Sequence, residues 1–143
     1  MIRTPKNQVI DVKSKGGTVV GLLKWKTNFG SDKTERFKHA QTFVDSEVLR
    51  LMDPLTPMRS KNLIRSALSA TETGAGLIRY NVPYARYHYY GKLMVGSAPK
   101  KLTDIDMTYE GAPQRGPKWF ERMKAQNKKA ILKEAGEYLD GKK

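Results

Sequence analysis

The stretch "DKTERFKHAQTFVDSEVLRLMDP" constrains this chain more than any other. Phe37, Ala40, Val44, Val48 and Leu51 recur at helical spacing, with Phe43 and Met52 beside the stripe. Asp32 followed three residues later by Glu35 fits a capping box, which predicts a helix start there. Asp53-Pro54 predicts its end, because proline has no N–H to continue the ladder and disfavours helix in the residue before it. A long helix over 32–53 must bury its apolar stripe, so the rest of the chain has to supply something to cover it.

The flanking segments suggest what that is. "QVIDVK" and "TVVGLLKWK" are β-rich and separated by Lys15-Gly16-Gly17, which predicts a hairpin over 8–27. "NLIRSALSA" and "GLIRYNV" read as short, partly alternating runs divided by "TETGAG", which predicts a second hairpin over 62–82. Pro83 suits the first position of a short helix over 83–91 that Gly91 would stop. Residues 92–116 hold three glycines and two prolines with little apolar periodicity, and read as a long loop. "GPKWFERMKAQNKKAILKEAGEYLDGKK" predicts a C-terminal helix over 117–140, with Phe120, Met123, Ile131, Ala135 and Tyr138 on one face and Gly141 at the exit. The expectation is one α+β domain over 1–143: an antiparallel sheet of about four strands packed against two long helices, with one short helix and a long loop.

Charge and residue types narrow the function. The 143 residues carry 27 Lys and Arg against 14 Asp and Glu, a net charge of +13, which favours polyanions or an acidic partner surface. From Pro54 to Lys92 six basic residues face the single acid Glu72, and from Lys118 to Lys133 the only acid is Glu121. There is no cysteine for a disulfide or a thiolate metal site, no apolar run approaching a membrane span, and no signal-like leader in "MIRTPKNQVIDVKSKGG". The chain is expected to work without a membrane and to suit a reducing cytoplasm.

No catalytic constellation is evident. His39 falls mid-helix and His88 lies among tyrosines, neither within a hydrolase or metalloprotease motif. Asp104, Asp106 and Glu110 lack the glycine and spacing of an EF-hand, and read as loop acids. The expectation is a non-enzyme with no cofactor and no metal.

What remains is "PYARYHYYGK", which puts Tyr84, Tyr87, Tyr89 and Tyr90 within seven residues, flanked by Arg86 and Lys92. Such a cluster could stack on nucleic-acid bases, at about 1–3 kcal/mol per base. It could equally form a subunit contact, where a phenol buries a large apolar body while its hydroxyl finds a partner, or simply fill the core. A mixture of core and contact surface is expected.

The segments "NVPYARYHYYGKLMVG", "APKKLT", "GAPQRGP" and "KWFERMKAQNKKAILKEA", with "RFKHAQTFVDSEVLRLMDP" and "TPMRSKNLIRSA", together resemble the minor capsid proteins of tailed double-stranded-DNA phages. More distantly they are similar to neck and tail-completion proteins. The matched positions are Pro83, Tyr84, Ala85, Tyr87, Tyr90, Gly91, Trp119 and Phe120. One departure is that Ser60-Lys61 stands where relatives commonly have Thr-Gly, a difference that disfavours a left-handed turn at 61.

The resemblance implies a virion part rather than a catalyst: a homo-oligomeric ring at the head–tail junction, assembled in the host cytoplasm and touching other head-connector and tail proteins. Double-stranded DNA would pass through its lumen without sequence reading. On that basis Tyr84, Arg86, Tyr87, Tyr89, Tyr90, Lys92, Trp119 and Phe120 are expected at subunit or neck-partner interfaces. Arg79, Arg86, Lys100, Lys101, Arg115, Lys124, Lys128 and Lys129 are the candidate DNA-facing residues. The alternative is a free-standing, sequence-independent nucleic-acid-binding protein.

Overall fold

The long amphipathic helix forms, and a second one lies against it. In the computed structural model, which describes residues 1–143, α1 spans Phe29–Met52 and α4 spans Trp119–Asp140. They run antiparallel: Lys33 and Arg36 near the start of α1 donate to the Leu139 carbonyl near the end of α4, at 3.5 and 3.3 Å. Val48, Met52, Trp119, Met123 and Ile131 from these two helices meet in the core. Leu55, Leu63 and Ala85 complete it. Only 18 of 143 residues are buried, so the core is thin and many apolar side chains remain outside. Phe37, expected on the buried stripe of α1, is one of these at 51% exposed.

The start of α1 departs from the capping-box expectation. The helix begins at Phe29, so Asp32 lies inside the first turn, where its charge suits the positive end of the helix dipole. The irregular N-terminal segment, residues 1–7, fixes this earlier start. Gly30 donates to Thr4 Oγ1 at 3.0 Å, and Ile2 donates to Thr34 Oγ1 at 2.9 Å. The crossing is so close that a Cβ on Gly30 would sit 2.5 Å from the Ile2 carbonyl oxygen.

The sheet differs most from expectation. Instead of one four-stranded sheet on the helices there are two separate two-stranded antiparallel sheets. The first is the expected hairpin, β1 (Gln8–Ser14) with β2 (Gly17–Leu23), in unbroken register from Gln8↔Leu23 to Ser14↔Gly17. Every residue of both strands is exposed, so this hairpin is an arm standing off the body.

The second hairpin lies where a loop was expected, as β3 (Lys92–Val95) and β4 (Lys101–Asp106) within residues 92–116. Residues 62–82 do not form a hairpin: Asn62–Ala70 is a helix, α2. Its buried residues Leu63, Ser66 and Ala67 are spaced i, i+3 and i+4, the helical period that the apparent alternation concealed.

Lys61 precedes α2 with φ +62, so lysine adopts the left-handed conformation that the Thr-Gly pair of relatives would make easy. The tyrosine segment is the short helix expected, α3 (Ala85–Tyr90). Gly91 ends it at φ +77, with Pro117 so near that a Cβ would lie 3.2 Å from it.

Candidate functional site: an aromatic groove

Trp119 organises the site. It is 2% exposed, with Tyr89 edge-on at 4.7 Å between ring centroids and Tyr80 at 5.4 Å. Tyr90 stands edge-on to Tyr89 at 5.5 Å, and the Lys118 ammonium lies 4.2 Å from the Tyr90 ring centroid. Tyr89 donates its hydroxyl hydrogen bond to Glu121, joining α3 to α4. Burial pushes the Tyr80 phenol above its ordinary pKa. From this base opens a groove of about 540 Å³ between α1, residues 76–80, α3 and the start of α4. Eleven of its fifteen lining residues are hydrophobic, so its floor offers contact area rather than chemistry. Leu77, Tyr90 and Phe120 are exposed at 51, 55 and 40%.

One wall is held by a residue that the sequence reading passed over. Asp45 is only 3% exposed. Its carboxylate accepts from the Gly74 and Gly76 amides at 2.8 and 2.9 Å and from Gln41 Nε2 at 2.7 Å. A buried carboxylate left unmatched would be costly, so these bonds fix the 74–76 turn onto α1. The signal was available: Asp45 interrupts a buried helix face four residues after Gln41 and three before Val48, and a glycine-rich turn downstream has amides needing an acceptor.

The expected interface residues therefore divide. Trp119 is core, because its ring is the surface on which the tyrosines pack, and it cannot be reached by a partner directly. Tyr89 and Tyr87 are half-buried. Tyr90, Phe120 and Arg86 are exposed at the groove, while Tyr84 is 37% exposed on the other side of α3. There Tyr84 meets His88 edge-on at 5.6 Å, and Tyr109 donates to the His88 carbonyl at 2.7 Å. Burial lowers the His88 pKa, and its Nδ1 is buried without a hydrogen-bond partner. Lys92, the first residue of β3, donates across the second hairpin to Asp106 Oδ1 at 2.6 Å, which raises the lysine pKa.

The basic candidates also divide. Arg79, Arg86, Lys100, Lys101, Lys124, Lys128 and Lys129 are exposed, but they lie on four different segments. Lys124 and Lys128 share a face of α4 by their spacing. Arg115 is not free: Nη1 donates to the Asp53 and Thr56 carbonyls at 2.8 and 2.6 Å. Arg122, which was not singled out, likewise donates to the Pro113 and Gln114 carbonyls. Both hold the loop after β4 against the body. His39 is exposed on α1, and Asp104, Asp106 and Glu110 are exposed at the second hairpin and beyond it.

A thin core, a projecting arm and a wide apolar groove leave much apolar surface that the chain itself does not cover. No helix is long and apolar enough to cross a membrane. The family described as "Minor capsid protein" matches residues 19–135, from within β2 to the last turns of α4, and the chain belongs to that family. It is a phage structural protein, a component of the virion. No curated protein and no solved structure matches the chain.

Proposed function

We propose that this minor capsid protein works at the head–tail junction, as a neck or tail-completion component that forms a ring, joins tail to head and lets DNA pass. The observation that carries this reading is the groove, whose exposed Leu77, Tyr90 and Phe120 lie beside Arg86 on a domain with few buried residues. Tyrosine and arginine around an apolar centre are the residues that dominate protein–protein contacts. A closed ring of identical copies needs two different patches per subunit, one meeting the other on the next copy.

In this reading other head-connector and tail proteins pack above and below. Exposed lysines on α4 face passing double-stranded DNA and bind its phosphates without reading sequence. Deleting the gene is expected to leave filled heads and free tails. Intact infectious particles from that deletion would remove the assignment.

The second reading is sequence-independent nucleic-acid binding, favoured by Lys124, Lys128 and Lys129 standing free of ion pairs on α4. It requires the purified protein to bind DNA at about 50 mM salt and to lose affinity steeply as salt rises.

A further inference from the structure

The arm and the groove are both apolar, both unpartnered, and placed apart on one chain. The groove lies beside the second half of α1, whereas the arm is rooted at the first turn through Gly30 and Thr34. The arm does not cover its own groove, since all fourteen of its strand residues are exposed. One is convex and the other concave, the requirement for a contact that repeats from copy to copy in one direction.

Charge selects the face. Cross-strand partners share a side of a hairpin, so Val9 and Leu22 lie on the same side as Asp11 and Val20. Lys13 and Thr18 lie beyond them toward the turn, whereas the opposite side, with Ile10, Val12, Val19 and Leu23, carries no charge. Val9, Val20 and Leu22 are 67, 64 and 65% exposed and neighbour Asp11 on that face. Asp11 is the only acid before Asp32, and it has no ion pair within the chain. In the groove, Arg86 is exposed and equally without an ion pair. We infer that the β1–β2 arm of one copy seats in the groove of the next, with Val9, Val20 and Leu22 against Leu77, Ile78 and Phe120 and Asp11 paired to Arg86. This names the two patches of the ring proposed above and rests on that reading.

The size of the contact sets its behaviour. Seven residues at about 3.3 Å each, in two strands about 4.8 Å apart, give a face of roughly 230 Å² including side chains. A stable two-body interface takes about 800 Å² on each side. One arm in one groove therefore does not hold a dimer, and the chain stays monomeric until neighbours on both sides, or a template, close the ring.

The absence of native cysteine allows a direct test. Val20→Cys and Leu77→Cys are made separately, both at exposed positions where folding is not at risk, and mixed under mild oxidation at high protein concentration. The expected product is the mixed dimer, in roughly tenfold excess over either homodimer. Asp11→Arg in the arm variant is expected to lower that yield about tenfold, and Arg86→Asp in the groove variant to restore it, a factor equivalent to about 1.4 kcal/mol. A Val20→Cys homodimer as abundant as the mixed product, or a yield indifferent to the charge exchange, overturns the contact. Electron microscopy of particles separates the two ideas. A junction ring without the cross-link removes the contact alone, whereas the cross-link with a single copy per junction removes the ring and leaves the contact.

Discussion

The two hairpins of this protein are alike in topology and opposite in attachment. The β1–β2 arm has seven residues per strand in continuous register, yet none of its side chains is buried. The β3–β4 hairpin is shorter and its register breaks between Lys92 and Met94, yet it is fastened to the body. Lys92 and Met94 are half-buried, and Met107 just beyond it donates to the Gly91 carbonyl at 2.8 Å. Regular pairing is thus no measure of integration. A two-stranded ribbon alone is marginal in water, so the seven bare aliphatics on the better-formed one fit the contact with a neighbouring copy proposed above.

Substitutions sharpen this contrast between a body that holds the fold and an arm that does not. Trp119→Ala is expected to cost about 3–5 kcal/mol in urea unfolding, because it removes the ring on which Tyr80 and Tyr89 pack. A cost below about 1 kcal/mol would mean that the groove floor is not part of the core.

Asp45→Ala comes next, at about 2–3 kcal/mol, because it removes the charged acceptor shared by the Gly74 and Gly76 amides. Hydrogen exchange at Gly74 and Gly76 should then quicken while exchange within α4 changes less. Uniform acceleration would show that the turn is not an independent wall. Smallest is Val20→Ser on the arm, expected to leave stability within about 0.5 kcal/mol. A larger loss would show that the arm is integral to the body after all.

Much of this architecture can be read in the residues, and the misreadings have physical causes. Both long helices follow from recurring apolar spacing, although Asp45 interrupts the face of α1 and Asn127 that of α4, and α3 follows from Pro83 and Gly91 on either side of it. The second hairpin was misplaced because Leu63, Ile64, Ala67 and Leu68 can be taken as alternation when their i, i+4 pairs are overlooked. Its true position at 92–106 is carried by only a few apolar residues, and glycine and proline nearby mimic a loop.

The site was half visible. The tyrosines announced themselves, but which of them would face outward depended on Trp119, thirty residues on. Arg115 and Lys92 appeared free because their partners lie far along the chain or across a hairpin turn. The arm was legible as a hairpin, but nothing local said that it would stand clear of the helices.

The clasp at Arg115 has a mechanical consequence. Arg115 and Gly116 are bonded to carbonyls at 53–56, so the intervening sixty or so residues form a loop whose two ends are joined. A pull applied at the arm passes through its root into α1, and from there across the helix pair into α4. The closed loop carries α2, the tyrosine helix, the second hairpin and one wall of the groove. In the proposed ring a load that enters one copy at the arm leaves it at Leu77, Ile78 and Arg86, so it crosses from α1 into the closed loop, and the clasp keeps the two ends of that loop from parting.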